Sequence, residues 1–418
     1  LFQKSYHGQV KMIYIDPPYN TGNDFIYPDD YAENLSTYLQ YTGQIDAEGR
    51  KFSTNTESSG RFHSKWLCMM YPRLFLARNL LRDDGLIFIS IDDHESSNLR
   101  MACDEVFGPE NFIGALIWKR RKQVDSRTKT GLSMDHEYCM VYRKTDQGTL
   151  RGKEIDLTKY KNPNNDPGGP WTSDNLLGLA TKEQRPNLHY DLINPSTKIN
   201  YGCPPTGWRY SPSSMNALIG EGRILWPESE SGRPRYKRYL SDLGDPFTGL
   251  SSVLQTAFSA DGTTELKALF DGKEVIDFPK PSEYLKLLVL QATEPKERAI
   301  ILDFFAGSGT TGQAVMQANK DDGGDRSFIL VQLPEPVENI GFSTIAEVTK
   351  ERIRRFGKKL VEENRLLTSD VGFKVFKLDS SNIHAWEPDR DNLQKSLLDA
   401  INHLNSDRTE QDILHELV

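Results

Sequence analysis

The chain is predicted to fold as an α/β protein, a mostly parallel, doubly wound sheet interrupted by a loop- and β-rich insert. Three observations predict it. Short apolar runs, Val10–Ile15 (VKMIYI), Leu86–Ile91 (LIFISI), Tyr138–Tyr142 (YCMVY), Ile300–Phe305 (IILDFF) and Ser327–Leu333 (SFILVQL), have the length and composition of buried strands. Stretches with apolar residues at helical spacing separate several of them, and that strand–helix–strand rhythm favours parallel pairing. Between residues 145 and 276 the pattern changes: Pro and Gly become dense, helical signals weaken, and Trp171, Trp208 and Trp226 appear.

Taken in order, the first strand, Val10–Ile15, carries Asp16-Pro17-Pro18-Tyr19 at its carboxyl end. Two prolines fix the backbone and remove two N–H donors. The Asp16 carboxylate and Pro17 carbonyl are then two acceptors beside an aromatic ring. Such a set suits a planar base bearing an exocyclic amine, whose two N–H groups it can bind while Tyr19 stacks on the ring. The same tetrapeptide can also simply end a strand. His63–Leu81 reads as a helix, with a kink or break expected at Pro72, and Asp83-Asp84-Gly85 ends it. Leu86–Ile91 follows, then Tyr138–Tyr142, closing a first region at residue 144. After the insert, Asp277–Glu283 precedes a helix over Tyr284–Thr293. The strand Ile300–Phe305 then runs into Ala306-Gly307-Ser308-Gly309-Thr310-Thr311 and a helix over Thr310–Asn319. Beyond Ile340 the chain is helical and charged, with a short strand expected at Phe373–Leu378. Four regions result: 1–144, 145–276, 277–340 and 341–418.

The glycine turn after Asp303 lets backbone approach a ligand, and a helix start favours a negative group. It lacks the third glycine of a dinucleotide fingerprint and the Gly-Lys-Ser/Thr ending of a phosphate loop. S-adenosylmethionine suits it, because an amino acid carboxylate can occupy the place of a phosphate. A nicotinamide-dependent dehydrogenase would leave Asp-Pro-Pro-Tyr unexplained. Asp303 is a candidate to hold the ligand loop or to be a buried structural acid. Phe305 can line the ligand pocket or pack in the core.

A chain of 418 residues with 37% hydrophobic and 26% charged residues is globular and long enough for two or three domains. No apolar run approaches the roughly 18 residues of a membrane span, and the first residues are not a secretion signal. Cys68, Cys103, Cys139 and Cys203 show no paired spacing, so neither zinc nor a disulfide frame is expected, and a reducing cytoplasm is. The net charge of −8 hides local basic clusters: Lys119, Arg120, Arg121 and Lys122 with Arg127 and Lys129; Arg233, Arg235, Lys237 and Arg238; and a helical run from Arg352 to Lys359. Each is either a solvated face or a phosphate-contacting surface.

The pair D-P-P-Y and F-x-G-x-G resembles the amino-methylating DNA methyltransferases, and their order resembles the β-arranged subgroup. Asp16–Phe25, Ile301–Thr311, Phe328–Glu335, Glu351–Arg355 and Gly372–Ser381 are similar to the Mod subunits of type III restriction–modification systems. The resemblance implies a Rossmann-like methyltransferase sheet, split into a catalytic half (1–144) and an S-adenosylmethionine-binding half (277–340) around a target-recognition insert (145–276). It implies methyl transfer to adenine N6 in flipped-out duplex DNA, with Asp16, Pro17, Pro18 and Tyr19 catalytic. Cofactor contacts fall on Asp303, Phe304, Phe305, Ala306, Gly307, Ser308, Gly309, Thr310 and Thr311. Lys280, Pro281 and Ser282 would shape the methionine end; the alternative is a plain helix cap with Glu283. No metal is implied. A homodimer, a helicase–nuclease restriction partner and a bacterial, nucleoid-associated location also follow from the resemblance.

Two departures stand out. Where the family often has an acid for the ribose hydroxyls, this chain has Gln332. A segment usually precedes the catalytic strand, so either the chain is a fragment or those elements are absent. Two other readings stay open: cytosine N4 as the target, disfavoured because such enzymes more often carry Ser at the Asp16 position, and a DNA-recognition subunit with little activity of its own.

Overall fold

The computed structural model describes residues 2–21, 62–244, 247–337, 341–363 and 370–378, with Asn382 and Thr409. Residues 22–25 and 379–381, within two of the segments that carry the resemblance, and most of the tail beyond 363 lie outside the described residues. The chain divides into two compact units, one formed by residues 1–151 and 251–418, the other by 152–250.

In chain order the elements of the larger unit begin with α1 (Phe2–Ser5), β1 (Val10–Ile15), α2 (Phe62–Leu80), β2 (Leu81–Ile91), α3 (Ser96–Phe107), β3 (Phe112–Lys119) and β4 (His136–Arg143). The smaller unit contributes β5 (Lys153–Glu154), β6 (Trp171–Asn175), α4 (Pro212–Gly220), β7 (Ile224–Leu225), β8 (Arg235–Tyr239) and β9 (Phe247–Thr248). The chain then returns with β10 (Val253–Leu254), α5 (Ser259–Leu269), α6 (Ser282–Ala292), β11 (Ile300–Asp303), α7 (Thr310–Asp322), β12 (Ser327–Leu330) and α8 (Ile345–Glu363).

The larger unit is built on a seven-stranded sheet in the order β10-β3-β4-β2-β1-β11-β12. β1 pairs in parallel with both β2 and β11, and β11 with β12, while β4 runs antiparallel to β2 and β3. β1 is central and covered on both faces, which is why it reads as a continuous apolar run rather than an alternation. Ile13 and Ile15 join a core with Trp66, Met70 and Leu74 of α2 and Leu99 of α3. Tyr14 points to the other face, where its hydroxyl meets Ser90 Oγ at 2.9 Å. From β1 the chain proceeds to β2 on one side, and much later from β11 to β12 on the other. The carboxyl ends of β1 and β11 therefore flank the place where the strand order reverses, the usual ligand crevice of such sheets.

Several expectations are corrected. The insert contracts from 145–276 to 152–250, because Leu266 packs with Phe270, Val275 and Val348 and β10, with Leu254, adds to the sheet of the α/β unit. No break occurs at Pro72, since α2 runs through it as one element, with the Arg73 guanidinium donating to the Met69 carbonyl at 2.6 Å. β2 starts at Leu81, so Asp83-Asp84-Gly85 lies within the strand rather than after a helix. Lys11, Arg82, Asp84 and Glu297 form an ion-pair cluster that neutralises this charged stretch. Residues 373–378 are irregular and largely exposed, with no neighbouring strand among the described residues.

The smaller unit has an antiparallel sheet in the order β6-β8-β7, a separate β5–β9 pair, and α4 capped by Ser211. Its own small core gathers Leu176, Leu192, Trp208, Met215 and Ile224. Trp208 is buried and donates its indole N–H to the Tyr190 carbonyl at 2.8 Å, so it serves packing rather than recognition.

Candidate active site

Asp16 leaves β1 at its carboxyl end and sits in a knot of alternating charge. Tyr19 Oη donates to Asp16 Oδ1 at 2.7 Å, and Lys280 Nζ lies 3.0 Å from the same oxygen. Lys280 Nζ also reaches Glu137 Oε2 at 2.9 Å and Tyr19 Oη at 2.8 Å. Arg120 Nη1 holds the other Glu137 oxygen at 2.7 Å. Burial pushes the Asp16 carboxyl above its ordinary value; Lys280 opposes that shift and Glu137 adds to it. Burial alone would raise Glu137 too, but Lys280 and Arg120 bring it below the ordinary carboxylate value. Burial would lower Lys280, yet its two carboxylate partners hold it above the usual lysine value.

The surrounding framework fixes this knot. The Trp66 indole donates to the Pro18 carbonyl at 2.7 Å. Asn20 adopts a left-handed conformation (φ 56°), tolerable for Asn, and its amide reaches the fully buried Glu95. His63 and Asn98 also bond Glu95. Trp118 stacks on Tyr284 with centroids 4.6 Å apart, and Lys280 Nζ lies 5.6 Å from the Trp118 ring.

Beside it, β11 ends in Asp303 and the glycine turn. Asp303 accepts from the Phe305 N–H at 3.0 Å and from the Thr311 hydroxyl at 2.5 Å. Burial raises its carboxyl to about 7 in spite of those bonds. Gly307 and Gly309 have φ of 51° and 83°, the left-handed region that glycine alone enters freely. A Cβ at Gly307 would meet nothing nearer than the Phe305 carbonyl at 3.9 Å, so space lies open beside it; one at Gly309 would press on Thr349 at 3.0 Å. Gln332 Oε1 accepts from the Gly307 N–H at 2.8 Å, and Thr349 Oγ1 donates to the Gly307 carbonyl at 2.6 Å.

Asp303 also has a consequence for stability. A carboxyl that binds its proton more tightly when folded favours the fold most below its ordinary value of 3.8. That contribution is lost as pH rises toward about 7, with a span of at most roughly 4 kcal/mol. Thermal unfolding followed from pH 4 to pH 8 should show wild-type stability falling across this window and Asp303→Asn falling less. Parallel curves for the two proteins would count against the assignment.

The structure brings some of the residues named from the sequence together and sets others apart. Asp16 to Tyr19 and the turn from Asp303 to Thr311 converge at adjacent strand ends. Lys280 is in the site, but its ammonium addresses Asp16 and Glu137 rather than the glycine turn. Ser282 gives both its hydroxyl and its N–H to Glu265, which also accepts from Gln313 of α7, so no plain cap with Glu283 forms. Among the basic residues, Lys119 and Lys122 are exposed, Arg121 pairs with Asp125 at 2.7 Å, and Arg120 serves Glu137. Arg233, Arg235 and Arg238 are exposed, whereas Lys237 is buried against Asp166 at 2.6 Å and is a structural ion pair. The third cluster is likewise structural in part: Arg352 is fully buried and Arg355 pairs with Glu351 and Asp271.

Glu137 escaped the sequence reading, and Arg352 was read only as part of a basic run. Glu137 shares the buried face of β4 with Cys139 and Val141, and an acid at that register in an apolar strand is a signal in itself. Arg352 donates to Gln313 Oε1 at 2.8 Å and to Ser308 Oγ and Thr310 Oγ1 at 2.7 Å, tying α8 to the glycine turn. Its place every few residues from Val348, Thr349 and Phe356 on one face of α8 could have marked it as inward-facing.

The N6/N4 methyltransferase family profile, described as DNA methylase, matches residues 10–351 and thus spans both the Asp16 knot and the glycine turn. The chain belongs to this family. The type II methyltransferase M.KpnI of Klebsiella pneumoniae is 31% identical over 82% of this chain and 81% of its own length. The StyLTI Mod subunit of a type III restriction-modification enzyme from Salmonella typhimurium is 37% identical over 90% of this chain, and the EcoP15I Mod subunit of Escherichia coli is 33% identical over 90%. The chain spans about three-fifths of the length of these two type III relatives, 58% and 62%. Among the described residues, no helix is long and apolar enough to cross a membrane.

Proposed function

We propose that this DNA methylase transfers a methyl group from S-adenosylmethionine to the N6 amine of adenine in duplex DNA, as the modification and recognition subunit of a type III system. One observation carries the reading: Asp16 and the Pro17 carbonyl stand at the end of β1, next to the glycine turn that ends β11. The residues fit the cofactor. The Cβ-free turn at Gly307 leaves open space, and the α7 start behind it can face a carboxylate. Phe304, Phe305, Ala306, Ser308 and Gly309 would hold it, with Gln332 and Thr349 fixing the turn. When bound, S-adenosylmethionine supplies an electrophilic methyl on a sulfonium whose departure leaves a neutral thioether.

The chain supplies the rest. Asp16 and the Pro17 carbonyl accept the two N–H groups of the amine and return its lone pair to nitrogen. Tyr19 offers its ring to the flipped base, with its hydroxyl anchored by Asp16 and Lys280. After transfer the methylated amine must lose a proton, and the Asp16 carboxylate, made more basic by burial, accepts it. Orientation and preorganised charge account for most of the acceleration.

Target recognition is assigned to the insert, together with the exposed basic residues Lys119, Lys122, Arg233, Arg235 and Arg238. Replacing Arg238 by Ala should flatten the plot of log affinity against log salt by about 0.9. Lys237→Met should instead lower the thermal stability of the insert and leave that slope alone. Equal slope changes in both variants would refute the distinction drawn between them. The Mod relatives are named as subunits of restriction-modification enzymes, which supports a helicase–nuclease partner. A homodimer and a nucleoid-associated, cytoplasmic location complete the proposal.

The direct test is transfer of labelled methyl from S-adenosylmethionine to unmethylated genomic DNA, followed by nucleoside separation. Label in N6-methyladenine supports the reading. Label in N4-methylcytosine would move the target base, and DNA binding without transfer would leave a recognition subunit only.

A further inference from the structure

We propose that Glu137 is a positioning residue for the reaction, sharing the Lys280 ammonium so that Asp16 remains an acceptor for the target amine. The inference rests on the functional reading above, in which Asp16 binds that amine. Four charges alternate along one line of contacts: Asp16, Lys280, Glu137 and Arg120. Lys280 Nζ lies 3.0 Å from Asp16 Oδ1 and 2.9 Å from Glu137 Oε2, so its charge is divided between two carboxylates. Its third donor goes to Tyr19 Oη at 2.8 Å.

The division matters because a buried ammonium with one carboxylate partner holds it as a tight ion pair. The oxygen lone pairs would then point at Lys280 and the carboxylate would be a weaker acceptor and a weaker base. Both Tyr19 and Lys280 address Oδ1, and among the described residues none is seen to bond Oδ2, the oxygen we assign to the incoming amine. Glu137 is able to compete for Lys280 because Arg120 fixes its far oxygen at 2.7 Å and β4 fixes its backbone. A carboxylate on the buried face of a strand is costly, and here both of its oxygens are committed to cations. The arrangement places Lys280 where it anchors the ring of Tyr19 without neutralising Asp16.

Several other titratable groups face this knot. Tyr14 of β1, Cys139 of β4 and Tyr284 of α6 are all raised by burial, Cys139 to about 12, and stay neutral through the working range. Asp303 of β11, with a carboxyl near 7, is electrostatically coupled to Asp16. For that reason the comparison is made between variants that all retain Asp303.

Glu137→Gln keeps an oxygen for Lys280, removes the charge, and turns the oxygen that Arg120 holds into an NH2. With the wild-type chain, labelled S-adenosylmethionine and unmethylated DNA, the variant should lose about tenfold in kcat. Its KM for S-adenosylmethionine and its DNA affinity should stay within about twofold. The acidic limb of the kcat–pH profile should move to lower pH, because a neighbouring negative charge that raises Asp16 has gone while Lys280 still lowers it. In a Lys280→Gln background, adding Glu137→Gln should cost less than it does in the wild type, because the part carried by Lys280 is already lost. Only the direct Tyr19 Oη–Glu137 Oε2 bond of 3.1 Å and the charge effect on Asp16 remain. An unchanged kcat and limb, or a loss that is additive with Lys280→Gln and leaves the limb in place, would overturn the proposal and leave Glu137 a structural counter-ion. A wild-type chain that transfers no methyl would defeat the functional reading itself, and this inference with it.

Discussion

Asp16→Asn is expected to lower methyl transfer by about a hundred- to a thousandfold while leaving the fold and cofactor binding intact. The Oδ1 atom, which takes the bonds from Tyr19 and Lys280, is retained in the amide. What is lost is the negative charge and one acceptor, replaced by an NH2 that opposes the N–H of an incoming amine. Lys280 keeps Glu137 as its partner, so the knot should not fall apart. The defect should therefore appear in kcat, with KM for S-adenosylmethionine nearly unchanged. Labelled-methyl kinetics and equilibrium dialysis of the cofactor separate the two. A variant within a few-fold of wild type in kcat would show that Asp16 is not the acceptor of the amine.

The second large effect concerns Arg352. Its guanidinium is fully buried between α8 and the first turn of α7, and donates to Gln313, Ser308 and Thr310. Burial lowers its pKa to about 10, with Glu265 opposing at 4.0 Å, so it stays charged at neutral pH. Arg352→Met removes three charge-assisted bonds and should destabilise the α/β unit by roughly 2–3 kcal/mol, less than the bonds alone would suggest because the desolvated charge goes too. Arg352→Lys should recover little, since an ammonium cannot reproduce the fork that reaches Gln313 and the two hydroxyls together. Below the unfolding transition, both variants should bind S-adenosylmethionine more weakly, because Ser308 and Thr310 flank the glycine turn. Denaturant midpoints and cofactor titration check this, and a variant as stable as wild type would refute it.

Arg352 also shows where reading the chain residue by residue fails. In RIRRFGKK it looks like one of several solvated cations. Only the docking of α8 on α7 turns it inward, and only Asp166, 71 positions away, does the same for Lys237. A charge run has no facing direction until the helix or strand that bears it is packed, so exposed Arg354 and buried Arg352 cannot be told apart by composition. The insert boundary failed for a related reason. β10 and α5 follow a Pro- and Gly-rich stretch, yet their apolar residues belong to the larger core.

The strand runs, the order of Asp-Pro-Pro-Tyr before the glycine turn, and the interruption between them were legible in the sequence because each depends on local backbone preference and apolar spacing. Those features determine an α/β methylase sheet with Asp16 and Gly307 at strand ends. Tertiary structure decided the electrostatics. Glu137, Lys280 and Arg120 come from three separate segments, and the line of contacts that runs from Arg120 through Glu137 and Lys280 to Asp16 exists only once β4 lies beside β2 and Lys280 reaches the end of β1. Coulombic coupling and desolvation depend on distance through space and on burial, and neither is written in the spacing of residues along the chain.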